Sequence, residues 1–588
     1  MFNARLYRAA MLPAVIAFVV MMFSFEPIPN SLQEPVATPE FGGTAAARTA
    51  RQIALRASDR TPGSEGDRTI AATVRDAFEA VEGARVSVQD FSTDYRGDDV
   101  DLQNVILTIP GASDETILVL ASRDSDRDLG ASSSAAATAE LMSLARALGT
   151  QRHNRTIVLV STDGGAEGAR GAKELVDALP RPENIVAAIA LSQSGVEDPE
   201  PPFVLPWGTG PESANAQLVQ TARQVASRSF GAKDANPGTW AGLARLAVPA
   251  GFSEAAPLRG EDIEAIGLSA NGERLLPADQ DRTVSSDTMQ KAGTAALDLI
   301  LTLDDAPAGE PAGGPSDYVR LGENLIPGWT IALLALTLLI APIVTAGEAW
   351  TREQRENWRT RRTIPWALER ALIPGAALLL AYALSLIGLI PDPPFPFDPA
   401  AYPAGLKGPV VAALLIAAMV VAGLLVRPMR TPLDSQTHTL AATAGLVTGG
   451  ALLILWFLNP YLTLLLFPAA SVWMLPARAA GPPRWIVVAA VAVVSLAGAI
   501  AAAVTVSGQL ELGLAAPWYL LLMIADGQVG FGTSVVWCLL LGGLIACVSA
   551  TSADRRGVQP AGGSLRGAGT HIGPGALGSF PAAEGRRR

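Results

Sequence analysis

Seven predominantly apolar runs crowd the second half of this chain, at about 325–346, 369–390, 409–426, 439–458, 460–476, 485–506 and 530–550. Each is near the ~20 residues that an α-helix needs to cross ~30 Å of hydrocarbon. Water is absent there, so a backbone that satisfies its own N–H and C=O groups as a helix is the expected form. A shorter run at 517–525 ends at Asp526 and is expected to be re-entrant or interfacial. An eighth full-length run, about Ala9–Phe25, follows Arg5 and Arg8. Phe23-Ser24-Phe25-Glu26-Pro27 offers no small-x-small cleavage site, so this run is expected to remain as an anchor.

Arginine placement orders these runs. Arg352, Arg355, Arg359, Arg361 and Arg362 follow the first of the seven, Arg427 and Arg430 the third, Arg478 and Arg484 the fifth, and Arg555 and Arg556 the last. The loops between (Pro391–Gly408, Asn459, Ser507–Leu514) carry almost none. With the positive-inside rule, this implies eight spans, both termini cytoplasmic and the α/β region outside, in the cell membrane. The expected organisation is a cytoplasmic N-terminus (1–8), an anchor (9–25), a Pro-rich linker (26–45), an extracytoplasmic domain (46–302), a Pro/Gly/Ala linker (303–323), a transmembrane domain (324–551) and a disordered tail (552–588). A net charge of −11 argues against a nucleic-acid partner. Lysine occurs at only four positions while Ala and Arg abound, a composition associated with GC-rich bacterial genomes. The two cysteines, Cys538 and Cys547, share the last apolar run, so the extracytoplasmic domain must hold together by its core.

Within 46–302 the organising stretch is Thr116–Ala172. Two short apolar runs, Thr116–Ala121 and Thr156–Ser161, read as strands buried on both faces of a parallel sheet. Between them Ala135, Ala136, Ala139, Leu141, Met142, Leu144, Ala145 and Leu148 follow helical spacing, and Ser132, Ser133 or Ser134 is placed to cap that helix with its side chain. The fold class is therefore α/β, doubly wound with a mostly parallel sheet, joined to an all-α membrane bundle. Polar residues gather after the strands, where such sheets place their sites.

These residues also carry a resemblance. The chain resembles the two-zinc aminopeptidases of peptidase family M28, in which the first strand ends in A-H-x-D, a helix opens with G-A-D-D-N, and the second strand ends in D-G-E-E-x-G-x-x-G. Here the same places read Ala121-Ser122-Arg123-Asp124, Gly130-Ala131-Ser132-Ser133-Ser134 and Asp163-Gly164-Gly165-Ala166-Glu167-Gly168-Ala169-Arg170-Gly171. Arg60-Thr61-Pro62-Gly63-Ser64 and Asn104-Val105-Ile106 resemble the family's R-x-x-G-S turn and N-V-I strand. Downstream, Ser192 falls at the Asp of N-x-D-M-x-G, and Ala255 at the His of S-D-H-x-P-F. The resemblance runs from about Ala46 to Thr302 and implies the fold, zinc as cofactor and an aminopeptidase site. It also implies that the site is degenerate. Ser122 replaces a ligand His, Ser132 the bridging carboxylate, Gly165 the general-base Glu, Ala166 a ligand Glu, Ser192 a ligand Asp and Ala255 a ligand His. Asp124 matches the Asp that orients the metal His.

A two-zinc site needs His and carboxylate ligands and a Glu to take the proton of the bridging water. The protein has three histidines, His153, His438 and His571, and only His153 lies in the α/β domain. It precedes the second strand and is expected to be a solvated loop residue. Asp124 is expected to bond backbone N–H groups, Glu254 to sit at the surface or pocket rim, and Glu167 to be held out of register by Gly168 and Gly171. A serine nucleophile at Ser122, Ser132 or Ser192 would lack a histidine base, and nothing places Lys173 in the pocket. In the bundle, Glu369 and Arg370 are expected to anchor a span end. Asp526 is the best candidate for a transport role, with a simple loop carboxylate as the commoner outcome.

The expectation is a membrane-bound pseudopeptidase, with zinc lost and no catalytic or metal residue. Its extracytoplasmic module would bind a protein partner or a peptide or lipid-linked ligand. The overall plan resembles the aminopeptidase-like subunit of the GPI transamidase. An active zinc aminopeptidase with atypical ligands and a transport protein with an accessory α/β domain are the alternatives.

Overall fold

The computed structural model describes residues 3–35, 38–95, 98–125, 129–165, 168–178, 181–233, 237–274, 281–307, 314–356, 358–397, 402–426, 437–476 and 484–551. The expected tail at 552–588, His571 and the pair Ala166–Glu167 lie outside these residues.

Helix α1 (Ala4–Phe23) carries Arg5 and Arg8 in its first turns, is apolar from Ala9 on, and leads to strand β1 (Glu26–Pro27). The α/β unit then begins with helices α2 (Gly43–Arg56) and α3 (Glu65–Glu79) and the hairpin β2 (Arg85–Tyr95) and β3 (Asp98–Ile109). Strand β4 (Thr116–Ser122), α4 (Ser134–Leu148) and β5 (Thr156–Thr162) form the parallel unit read from the sequence. After them come α5 (Arg170–Ala178), β6 (Ile185–Ser192), β7 (Val204–Leu205), α6 (Ala216–Phe230), α7 (Thr239–Ala247), α8 (Ala255–Gly260), β8 (Ala265–Ser269) and α9 (Ser286–Asp305).

The sheet order is β2-β3-β5-β4-β6-β8-β7, with β5, β4, β6 and β8 parallel and the remaining strands antiparallel. The alternation of a strand divides β4 between two cores. Ile117, Val119 and Ala121 pack under α4, while Leu118 and Leu120 join Leu175, Val176 and Leu258 on the opposite face. Both faces are thus covered, as a parallel sheet requires. The chain leaves β4 toward β5 on one side and later toward β6 on the other, so a crevice opens at the C-terminal ends of β4 and β6.

The expected side-chain cap of α4 is not formed. Ser133 occupies the N-cap position without a side-chain bond to the helix. A carboxylate from a distant turn takes its place: Asp281 Oδ1 accepts the N–H groups of Ser132 and Ser133, at 2.9 and 3.0 Å. The Asp281 side chain thus meets the Ser132 and Ser133 donors at the positive end of the helix.

Strands β9 (Tyr318–Leu321) and β10 (Asn324–Pro327) make a second sheet with β1, in the order β1-β10-β9. The expected linker 303–323 is therefore partly a strand. This small sheet ties the exit of α1 to the entry of the bundle. Then follow α10 (Gly328–Glu356), α11 (Leu372–Leu386), α12 (Lys407–Val426), α13 (Thr437–Leu458), α14 (Pro460–Leu466), α15 (Arg484–Gln509), α16 (Ala516–Asp526) and α17 (Phe531–Ala550). Seven helices among the described residues are long and apolar enough to cross a membrane. The run expected at 460–476 is not among them, because α14 tightens into a 3-10 helix at Phe467–Met474, with Pro468 in its first turn. Helix α16 has 11 residues, about 16 Å, and is too short to span. Val410, Ile416, Val420 and Leu425 on α12 and Ile16 and Phe23 on α1 are exposed, as lipid-facing residues would be.

The ends of the bundle helices near the α/β unit meet it directly. Asn459 Nδ2 donates to the carbonyls of Leu246 and Ala247 at the end of α7, at 2.9 and 3.2 Å. Trp240 Nε1 donates to Thr505 Oγ1 of α15 at 2.9 Å, and Gln528 Nε2 to the Thr209 carbonyl at 3.0 Å. Asp526 Oδ2 accepts the Phe395 N–H at 3.0 Å, which makes this acid a fastener of the loop after α11. Arg370 lies at the opposite end. It is 8% exposed, packs over Trp366 and donates to the last carbonyl of α12, Val426 O, at 3.3 Å.

Candidate functional site

The C-terminal ends of β4 and β5 bring Ser122, Asp124 and Gly165 together. Ser122 Oγ donates to Asp124 Oδ1 at 2.5 Å, and the same oxygen accepts the Gly165 N–H at 2.9 Å. Thr162, the last residue of β5, donates from Oγ1 to Glu254 Oε1 at 2.7 Å. Glu254 is half-buried at the strand ends, with its carboxyl group turned inward. Its carboxyl group is buried between the two strand ends, also takes a backbone bond from Ser122, and is pushed up to about 7 by burial and by the charge of Asp124. Ala255 points the other way, into the apolar cluster of Leu118, Leu120 and Leu258. At this turn Glu254 therefore faces the crevice, and Ala255 does not.

Glycine at 165 has a steric reason here. A Cβ would lie 2.3 Å from Ser122 Oγ and 2.9 Å from Glu254 Oε1. The space that a longer side chain would need is filled by Glu254 and Ser122.

Ser132 belongs to a second polar knot. Its Oγ donates to Asp281 Oδ1 at 2.7 Å, and Ser133 Oγ to Asp281 Oδ2 at 2.6 Å. Ser192 closes the end of β6 with a 3.4 Å bond to the carbonyl of Leu268 on β8. The sequence reading missed Asp281, since no motif marks it. It also missed Arg123, which lies inside the first motif. Arg123 is fully buried and its Nη2 lies 2.9 Å from Asp67 and 2.8 Å from Asp163, while Nη1 donates to the Ser161 carbonyl at 3.1 Å. One guanidinium faces two buried carboxylates. Burial, with the charges of Asp67 and Asp124, pushes Asp163 up to about 8 against the pull of Arg123.

His153 is not solvated. It is 5% exposed; its Nδ1 lies 2.9 Å from Asp304 Oδ2 and its Nε2 2.9 Å from the Leu148 carbonyl. It precedes β5, so the length of that strand, about 20 Å, separates it from the crevice. Lys173 Nζ donates to the Phe395 carbonyl at 2.9 Å and is bound to the bundle. Each of the three serines thus bonds to an acceptor of the chain itself, and neither the His nor the Lys is placed as a base.

The loop after α11 also reaches this end of the sheet. Gly168 donates its N–H to the Pro396 carbonyl at 2.7 Å, and a Cβ on Gly168 would meet Pro394 Cβ at 3.0 Å. Phe395 packs edge-on to Phe252 at 5.9 Å, and Phe252 stacks on Tyr519 of α16 at 5.7 Å. The loop after α11 therefore rests on the turn after β5.

Residues 104–242 match peptidase family M28. No curated protein matches the chain. Among solved structures, this M28-like chain is similar to a glutaminyl cyclase from an Acidobacteriales bacterium, with 17% identity, 47% of this chain and 99% of that chain covered, and a TM-score of 0.38. It is similar to BSAP, a zinc aminopeptidase from Bacillus subtilis, at 12% identity, 45% and 95% coverage and a TM-score of 0.37. A leucine aminopeptidase precursor from Bacteroides thetaiotaomicron matches at 17% identity, 45% and 99% coverage and a TM-score of 0.35.

Zinc, which the resemblance implies, does not fit the donor set. Serine hydroxyls are poor zinc ligands, and Gly165 and Ala255 offer no donor atom. Among the described residues no group of three or more His, Cys, Asp or Glu is arranged to hold a metal ion.

Proposed function

We propose that this chain is a multi-pass membrane protein whose M28-like unit serves as an extracytoplasmic docking module and does not hydrolyse peptides. One observation carries this reading: the polar groups at the strand ends are engaged by the chain itself. Ser122 is held by Asp124, Thr162 by Glu254 and Ser132 by Asp281, and the loop at Pro394–Phe397 rests on the turn after β5. A hydrolase needs an open, wet approach to an activated nucleophile. Here the strand ends are spent on joining two domains. The free faces of the α/β unit would then receive a protein partner or a peptide or lipid-linked ligand.

We infer the topology from the same contacts. The ends at Pro27, Phe395, Asn459, Gln509 and Gln528 lie toward the α/β unit, which this reading takes as the extracytoplasmic side. Chain continuity then requires Pro460–Met474 to cross as well. Seven α-helical and eight 3-10 residues reach about 26 Å, close to the hydrocarbon thickness. The result is eight crossings with both termini cytoplasmic.

The test uses the full chain in detergent with aminoacyl-nitroanilides and added zinc. No turnover is expected, and complexes captured from detergent extract should survive Ser122→Ala and Ser192→Ala. Zinc-dependent turnover that either substitution reduces would overturn the reading.

A further inference from the structure

A second cavity lies on the seam between the α/β unit and the bundle, away from the crevice. It measures about 420 Å³ and is lined on one side by Val204, Leu205, Trp207 and Arg245, and on the other by Gly508 and Glu511. Arg245 is 2% exposed and its guanidinium lies 5.5 Å from the centre of the Trp207 ring. Its Nη2 pairs with Glu273. Its Nε and Nη1 are buried and have no acceptor. A buried guanidinium with two idle N–H groups is costly unless something accepts them.

The carboxylates nearby are already engaged. Glu273 takes Arg245 Nη2 and the Phe252 N–H. Glu200 pairs with Arg274, and Glu511 lies 3.6 Å from Arg274 Nε. Arg223 adds a third cation to the lining. The remaining donors therefore call for an anion from outside the chain. The apolar wall of Val204, Leu205 and Trp207 calls for an apolar portion attached to it.

The place narrows the source. Gly508 and Gln509 close an apolar helix of 24 residues, Ile486–Gln509, which is long enough to cross a bilayer. A helix that crosses a bilayer would end at the depth of lipid head groups, where Trp is favoured. We propose that this cavity binds the anionic head group of a membrane lipid, with its phosphate on Arg245 Nε and Nη1. The site rests on the seam and not on the state of the crevice, so zinc-dependent turnover would leave it standing.

The full chain is purified in detergent and lipid retention is read by native mass spectrometry. The probes are phosphatidylglycerol, phosphatidylcholine and inorganic phosphate alone. Wild type is expected to retain phosphatidylglycerol over phosphatidylcholine. Arg245→Gln should weaken that retention by about tenfold or more, the weight of a charge-assisted pair of bonds. A second variant avoids the buried charge. A Cβ at Gly508 meets nothing within 4 Å, so Gly508→Leu fits the helix and projects into the cavity. It should abolish retention while leaving the melting temperature unchanged. If inorganic phosphate binds with the same dependence on Arg245 and the lipids show no preference, the anion site stands and its ligand is a soluble phosphate. Phosphatidylglycerol retention unchanged in both variants would overturn the site.

Discussion

Gly168 donates its backbone N–H to the carbonyl of Pro396 across 2.7 Å, joining the turn after β5 to the loop after α11. Gly168 has φ +79° and its missing Cβ leaves room for Pro394, so glycine is required twice over. Gly168→Ala should cost about 1–2 kcal/mol of left-handed strain and also loosen the loop. Gly83 is a control: it has φ +75° and nothing within 4 Å of its Cβ position. Gly83→Ala should carry the strain alone. Amide exchange at Asp392, Phe395 and Phe397 should accelerate in the first variant and stay as in wild type in the second.

Gly165→Glu would supply the family's general base, yet it is expected to harm the protein. The new side chain would start 2.3 Å from Ser122 Oγ and 2.9 Å from Glu254 Oε1. Overpacking of this kind costs about 1–3 kcal/mol before any buried charge is counted. Thermal melting should show the loss, and adding Ser122→Ala with Glu254→Ala should recover part of it.

Glu254 makes stability depend on pH. Its folded value of about 7 lies above the roughly 4.3 of an unfolded chain. The folded form therefore holds more protons between those values. Stability falls as pH rises through that window, and the penalty is complete above it. Glu254→Gln removes the charge and keeps an acceptor for Thr162. Its melting temperature should exceed wild type at about pH 8, by more than at about pH 5.

His153 acts through the opposite kind of group. Burial alone would lower its pKa, but the bonds to Asp304 and to the Leu148 carbonyl outweigh burial and raise it. Its contribution is whole below about pH 6.5 and is lost as pH rises through the raised folded value. His153→Ala should lower the melting temperature below about pH 6.5 and lose that effect at alkaline pH.

Much of the fold was legible in the residues. The apolar strand runs and the 3.6-residue spacing between them placed β4, α4 and β5 within a residue, because burial on both faces leaves no other pattern. The long apolar helices were legible because runs of about 20 apolar residues favour that form, though 460–476 did not make one. The site was legible only as a set of losses. Glu254 and Asp281 could not be read, since their role depends on turns brought together by the fold. His153 was misplaced as solvated because its partner, Asp304, lies at the end of a helix far along the chain. The contact of Pro394–Phe397 with Gly168 was out of reach too, since it joins two distant parts of the chain. The expected side-chain cap failed for one physical reason: a carboxylate binds a helix N-terminus more strongly than a serine hydroxyl does.

Metal stoichiometry of the purified full chain tests the central claim most directly. After equilibration with zinc and removal of excess, elemental mass spectrometry should find far less than one zinc per chain, with no change on chelation. About two zinc ions per chain, whose removal by a chelator abolishes peptide hydrolysis, would contradict it.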